Sequence, residues 1–301
     1  MLSLRVWARA VRLKFLTASI VAVTNGIVIA FSQQHTVDIW FAAYTFVGVI
    51  SLHASVDLLN DFFDYKSKID LMTSRTPFSG GTGVLPEGLL QPKSVYRAGV
   101  TFLIIGVLMG LYLMLVRSWL IGPLVMFAGL STYFYSTKIT KAGLGEVFLI
   151  VKGTAIVLGS YYVQTTSMAI SPLYVGVVLG ILSASVLYVN AFPDLEADRS
   201  GGRKSLTVRL GAEKASRFYP CFPIAVFTLI PVGVLLGLLP ILALASVVAL
   251  PSFGQVSLLL KKTDFKKISE ITPTLAKNAL AARTVGVVLA LSFIIRGLGL
   301  A

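Results

Sequence analysis

Charge is scarce in this chain. Of 301 residues only 13% are charged, while 56% are hydrophobic; soluble domains carry roughly 25% charged residues. That shortage excludes an ordinary soluble globular protein. The mean hydropathy of +0.84 points to a polytopic membrane protein, whose backbone must satisfy its own hydrogen bonds inside lipid. Cysteine is scarcer still. Cys221 stands alone, which excludes an internal disulfide and a thiolate metal site. The two histidines, His35 and His53, are too few and too far apart for a zinc cluster. Acids number 13 against 26 basic residues, for a net charge of +13. In so apolar a chain that excess reads as topology and contact with anionic headgroups, with no nucleic-acid partner expected.

Apolar runs fall at about 15–32, 37–59, 96–116, 118–137, 144–164, 171–192, 217–238, 240–260 and 279–297, each near the roughly 20 residues a spanning helix needs. The expectation is a single all-α transmembrane domain over residues 1–301, with nine helices around a central cavity: two four-helix halves plus one. The first run leads straight into the second, so it is expected to be a retained helix and not a signal peptide. Counting Lys and Arg by loop puts 23 of 26 on one side of the membrane; by the positive-inside rule that side is cytoplasmic. The N-terminus and the long cap loops are then cytoplasmic and the C-terminus outside.

What acid there is lies in two places on that same side. NDFFDYKSKID (Asn60–Asp70) and NAFPDLEAD (Asn190–Asp198) each close an apolar run, and with Asp57 and Glu87 nearby they account for eight of the 13 acids. Carboxylates at the mouth of an apolar bundle are costly unless something compensates them. Asp57, Asn60, Asp61 and Asp64 have the spacing of one helix face, and Asn190, Asp194 and Asp198 recur every four residues. Each set is expected to present oxygen ligands on one side of a helix end. With neither cysteine nor clustered histidine available, a metal there is held by oxygen, which suits Mg²⁺. Arg75, Arg199, Arg203 and Lys204 are placed to neutralise phosphate charge, arginine with a bidentate fork. The repeat of Asn-x-Phe-x-Asp at Asn60 and Asn190, each followed by a basic glycine-bearing loop (74–83 and 198–205), suggests two similar halves.

Lys152 falls inside an apolar run, where a lysine is expected to face a cavity or a partner, or, this near the cytoplasmic end, to snorkel toward it. Aromatics are dispersed through the helices, most of them expected in the core or the interfacial belt.

Taken together, NDFFDYKSKID and DLEADRSGGRKSLTVRLG resemble the UbiA superfamily of intramembrane prenyltransferases, whose usual patterns are NDxxDxxxD and DxxxD. VRLKFLTAS (Val11–Ser19), LGEVFLIVKGTAIVLGSYYV (Leu144–Val163) and the five residues between Asp64 and Asp70 are most similar to its menaquinone-type branch. The resemblance covers almost the whole chain. It implies Mg²⁺-dependent transfer of a polyprenyl group from an isoprenyl diphosphate to an aromatic, quinone-precursor-like or other lipophilic acceptor within the bilayer. It implies Mg²⁺ bound through Asn60, Asp64, Asp70, Asp194 and Asp198, with Asp61 close by, and Arg12, Lys14 and Arg75 near the diphosphate or acceptor. It leaves open whether Lys138 or Lys141 acts as the family's loop lysine, because YSTKITKAGLGE is shorter than the usual loop and lacks its proline. Asp61 or Asp198 is a candidate to take the acceptor's proton. Lys152 stands where that branch usually has an apolar residue; facing the cavity, it would touch the diphosphate or an acidic acceptor. For such chemistry Tyr133, Tyr135 and Tyr188 are candidates to steady an allylic cation over a ring face. Other acceptors of the same chemistry are a hydroxybenzoate, a glyceryl phosphate lipid or a tetrapyrrole. An ion-coupled carrier using the acids as a cation site is the alternative from another class; its acids would be expected near mid-membrane and not at helix ends.

Overall fold

The computed structural model describes residues 2–73, 75–265 and 267–300. Ser74 of the first glycine-bearing loop and Lys266, one of the basic residues counted for topology, lie outside them. Among the described residues every regular element is helical: α1 (Leu2–Ala10), α2 (Leu13–Gln34), α3 (Ile39–Lys66), α4 (Ile69–Met72), α5 (Pro92–Val116), α6 (Ile121–Phe134), α7 (Thr140–Ala142), α8 (Gly145–Thr165), α9 (Ile170–Asn190), α10 (Leu195–Ser200), α11 (Leu206–Phe218), α12 (Cys221–Leu235), α13 (Leu250–Lys262) and α14 (Ile268–Gly297).

Among the described residues seven helical stretches are long and apolar enough to cross a membrane: α2, α3, α5, α8, α9, Ile241–Lys262 and α14. An eighth arises if α11 and α12, which meet at a 54° bend, count as one span. The expected segment at 118–137 does not form one unbroken α-helix. It divides into the 14-residue α6 and a π-helical turn, Tyr135–Ile139. A π turn widens the helix by one residue and re-aims the side chains that follow; here it carries Ser136, which hydrogen-bonds the first acidic motif.

Local chemistry sets the ends. Asp38 caps α3 by accepting from the backbone N–H groups of Trp40 and Phe41, which satisfies donors that a helix start leaves open. Pro92 opens α5 within its first turn, where its missing N–H costs nothing. Helices in lipid gain little from burying apolar area against one another, so close backbone approach matters more. The α8–α9 seam depends on it: a Cβ on Gly180 would lie 2.6 Å from the Ile150 carbonyl oxygen, and one on Gly153 would lie 2.9 Å from Gly180 Cα. Those contacts, with α2 packed on α8 and α14 on α2, leave a cavity between α2, α3, α8, α9 and α14, with both acidic motifs at one end of it.

Candidate active site

The first acidic motif keeps its helical face. Asp57, Asn60, Asp61 and Asp64 all ride on α3, and Asp61 and Asp64 are buried. The chain then turns through Lys68, held at φ +65°, and α4 brings Asp70 back, also buried.

The second motif departs from expectation. Asn190, Asp194 and Asp198 do not share one helix. α9 ends at Asn190, Pro193 cannot supply the N–H a continuing helix needs, and α10 restarts with Asp194 at its N-cap position. Asn190 therefore belongs to the spanning helix, and Asp198 to a short helix lying across its end.

Gly202, at φ +77°, reverses the chain after α10 and returns Arg203 over it, where the Arg203 backbone N–H donates to the Asp198 carbonyl oxygen at 2.9 Å. The guanidinium then spans both motifs. Nη1 donates to Asp198 at 3.0 Å, while Nη2 donates to Asp64 and, at 3.2 Å, to Asn60 Oδ1. Ser136 donates to the same Asn60 oxygen at 2.8 Å.

The loop at 75–84 folds over this end as a cap. The Gly80 N–H donates to Asp194 Oδ2 at 2.9 Å. Thr82 donates to Asp61, which also accepts from Arg12 at 2.6 Å. Glu87 holds the outside of the cap through Arg9 and Arg75, each at 2.6 Å, and the Arg9 hydrogen bond in particular lowers its carboxyl below the usual range. Burial, with Asp64 and Asp61 adding to it, pushes the Asp70 carboxyl up to about 8. Burial, with Asp198 adding to it, pushes Asp194 up to about 7.

Beneath the cap lies a cavity of about 310 Å³. Its mouth is polar, lined by Arg12, Asn60, Asp64, Asp70, Asn190, Asp194, Asp198, Arg203 and Tyr135; its depth is apolar, with Lys152 in the wall. Of the residues singled out from sequence, these ten and Asp57 line it. Asp61, expected as a reacting carboxylate, is not in the lining; it accepts hydrogen bonds from Arg12 and Thr82. Tyr188 is buried away from the cavity, its hydroxyl donating to the Ala215 carbonyl at 2.9 Å, which removes it from the cation-facing rings. Arg75 belongs to the cap. Lys138 covers the Phe134 ring at 4.5 Å. Lys14, Lys141, Arg199 and Lys204 are exposed and outside the lining.

Two lining groups went unnoticed as site residues. Arg283 of α14 reaches the cavity and donates to the Lys14 carbonyl at 2.7 Å. Ser19 and His53 meet at 2.7 Å on the facing walls of α2 and α3. Arg283 could have been found as a charge inside the apolar run 279–297; the Ser19–His53 pair has no local signal.

No three Asp, Glu, His or Cys side chains among the described residues converge as a ready metal cluster. Arg203 lies between Asp64 and Asp198 and supplies the positive charge there. The donor set nevertheless fits a hard divalent cation. It is oxygen throughout, and the buried Asn190 Oδ1 and Asp194 Oδ1 have no hydrogen-bond partner. Asn60, Asp64, Asp70, Asn190, Asp194 and Asp198 are the residues that would hold Mg²⁺, since it accepts few protein ligands and shares the rest with phosphate oxygens.

The UbiA prenyltransferase family pattern matches residues 19–278, and the chain belongs to that family of membrane-embedded prenyltransferases. It is 28% identical over 238 residues to UbiA prenyltransferase domain-containing protein 1 of Rattus norvegicus, a match covering 76% of this chain and 67% of that one. It is 28% identical over 207 residues to 1,4-dihydroxy-2-naphthoate octaprenyltransferase of Bacillus subtilis (strain 168), covering 66% and 64%. The chain thus spans about two thirds of the length of these curated relatives. In fold it is similar to a solved digeranylgeranylglyceryl phosphate synthase structure, with TM-score 0.66 and 19% identity over 98% of this chain and 99% of that one. It is also similar to a UbiA homologue from Archaeoglobus fulgidus bound to GPP and Mg²⁺, with TM-score 0.63 and 13% identity over 94% and 99%. The chain is an integral membrane protein.

Proposed function

We propose that this chain transfers a prenyl group from an isoprenyl diphosphate to a lipophilic or aromatic acceptor within the bilayer, with Mg²⁺ as cofactor. The observation that carries this reading is the meeting of Asp64 and Asp198, from the two motifs, around one guanidinium at the polar mouth of an apolar cavity. The Archaeoglobus homologue, bound to a prenyl diphosphate and Mg²⁺, supports the same reading.

The carboxylates and Asn side chains at the mouth would hold Mg²⁺, and Arg203 and Arg12 stand there to meet the diphosphate end of the donor. Mg²⁺ bound among them supplies a charge that stabilises the departing diphosphate. Arg203 and Arg12 add positive charge at the mouth, where the departing diphosphate gathers its electrons. The bond between prenyl C1 and the diphosphate oxygen breaks, and its electron pair leaves with the diphosphate. The apolar wall below keeps water from the allylic cation. A nucleophilic carbon or oxygen of the acceptor then bonds to C1, and the acceptor's displaced proton leaves to a carboxylate at the mouth, of which Asp198 lines the cavity and Asp61 does not. Tyr135 presents its ring to the cavity, where it can face the cation.

In the membrane, the basic surplus on the loop side puts the cap and the N-terminus on the cytoplasmic face and the C-terminus outside. The segment Ile121–Ile139 supplies the crossing needed for nine.

The test is transfer of radiolabelled geranylgeranyl diphosphate to a panel of acceptors by purified protein with Mg²⁺. Asp64→Ala and Asp194→Ala should each lower turnover by two orders of magnitude or more, about 2.7 kcal/mol of barrier or above. Undiminished transfer in both variants rejects the site.

A further inference from the structure

Lys152 makes no hydrogen bond or ion pair with the residues of the polar mouth, although it lines the same cavity. It lies two turns into α8 and lines both the main cavity and a second, apolar cavity of about 140 Å³ between α3, α5, α6 and α8. His53, Val56, Phe148 and Ile156 line both cavities as well, so these residues form a throat between the two. Across it His53 Nδ1 meets Ser19 Oγ at 2.7 Å, and His53 Nε2 lies 3.8 Å from Asp57 Oδ2, which has no hydrogen-bond partner. The Lys152 ammonium makes no hydrogen bond or ion pair with any described residue. Asp57 interacts electrostatically with Arg12 as well as with Lys152, so it is not a counter-ion dedicated to the lysine.

A cation left without a close partner in an apolar wall is expensive. At this throat it is costly in a second way. The acids and arginines hold the diphosphate at the mouth, so the reacting C1 lies deeper, toward the throat. A lone ammonium there repels the developing allylic cation, unless an anion arrives with the second substrate. On the reading of the chain as a prenyltransferase, we propose that Lys152 binds the anionic group of the acceptor, a carboxylate or a phosphate, and so selects acidic acceptors over neutral ones. Ser19 and His53 line the opposite side and offer the acceptor's remaining polar atoms a hydrogen-bonding partner. The anion then neutralises the lysine at the moment the allylic cation needs a neutral surrounding.

The experiment uses Mg²⁺, geranylgeranyl diphosphate and two matched pairs of acceptors. One pair is 1,4-dihydroxy-2-naphthoate and naphthalene-1,4-diol; the other is geranylgeranylglyceryl phosphate and geranylgeranylglycerol. The wild type should favour the acidic member of one pair, and which pair it is distinguishes carboxylate from phosphate. Lys152→Met should raise the KM of that acid about tenfold or more, as expected for losing a charge-assisted contact, while the KM of geranylgeranyl diphosphate stays within twofold and transfer to the neutral partner holds or rises, because the charge that repels the allylic cation is gone. Lys152→Arg should keep the preference. Equal use of acidic and neutral acceptors by the wild type overturns the proposal without any variant. So does a loss in Lys152→Met that falls equally on both members of a pair or only on the diphosphate. A wild type that consumes no geranylgeranyl diphosphate with any acceptor fails instead on prenyl transfer itself.

Discussion

Asp64 and Asp198, one from each acidic motif, are joined through the single guanidinium of Arg203. Without a cation between them, two buried carboxylates this close would repel each other strongly. Arg203 answers that repulsion in the protein alone. When a divalent ion and a diphosphate are present, the same guanidinium is free to turn from carboxylate to phosphate oxygen, a ligand its fork suits equally well.

This arrangement predicts the behaviour of Arg203→Met. Removing one partner of a buried ion pair costs roughly 3–5 kcal/mol because the remaining charges are left uncompensated. Thermal melting in detergent with a chelator should show a lower Tm than wild type. Adding Mg²⁺ should recover most of the loss, because the ion replaces the missing charge. A deficit of equal size with and without Mg²⁺ would mean that Arg203 supports the fold in some other way.

A pH dependence follows from Asp70 and Asp194, raised by burial to about 8 and about 7. A carboxyl whose folded value exceeds its unfolded value contributes stability below the unfolded value, and that contribution is lost as pH rises through the folded one. The metal-free protein should therefore lose stability between about pH 4 and pH 8 through these two groups. A bound cation favours their charged forms and releases their protons. The Tm gain from Mg²⁺ should be larger at pH 8 than at pH 6, and calorimetry in two buffers of different ionisation enthalpy should detect proton release. A gain that is flat with pH would count against both residues as ligands.

Gly81 gives a test of the cap. Its φ is +71°, and a Cβ built on it would lie 2.7 Å from both Asp70 carboxylate oxygens. Gly81→Ala should cost about 1–2 kcal/mol from the left-handed backbone. It should also push Asp70 from its place and so raise the Mg²⁺ concentration needed for half-maximal transfer. Gly88→Ala, also at positive φ (+67°) but with open space around the new methyl, should share the backbone cost and leave the Mg²⁺ requirement unchanged. Equal Mg²⁺ requirements in the two variants would separate Gly81 from the metal site.

Much of the site's content was readable along the chain. Hydropathy alone marks the spanning helices, because each must be apolar over its own length whatever it packs against. The i, i+3, i+4 spacing placed Asp57, Asn60, Asp61 and Asp64 on one face, and α3 keeps them there. The same rule failed at Asn190–Asp198, where Pro193 divides the stripe between two helices; a proline inside a repeating pattern was the available warning. It failed again at 118–137, where uniform hydropathy hides the π turn at Tyr135–Ile139.

By itself, then, the amino-acid order determined an all-helical membrane protein with oxygen-rich motifs at two helix ends, since those properties depend on near neighbours in the chain. Tertiary structure decided the partners. It drew Arg203 between the motifs, paired Asp61 with Arg12, carried Tyr188 away from the cavity and left Lys152 at the throat. Such meetings join residues many turns apart. They depend on how closely glycine seams let whole helices approach, a quantity no local spacing records.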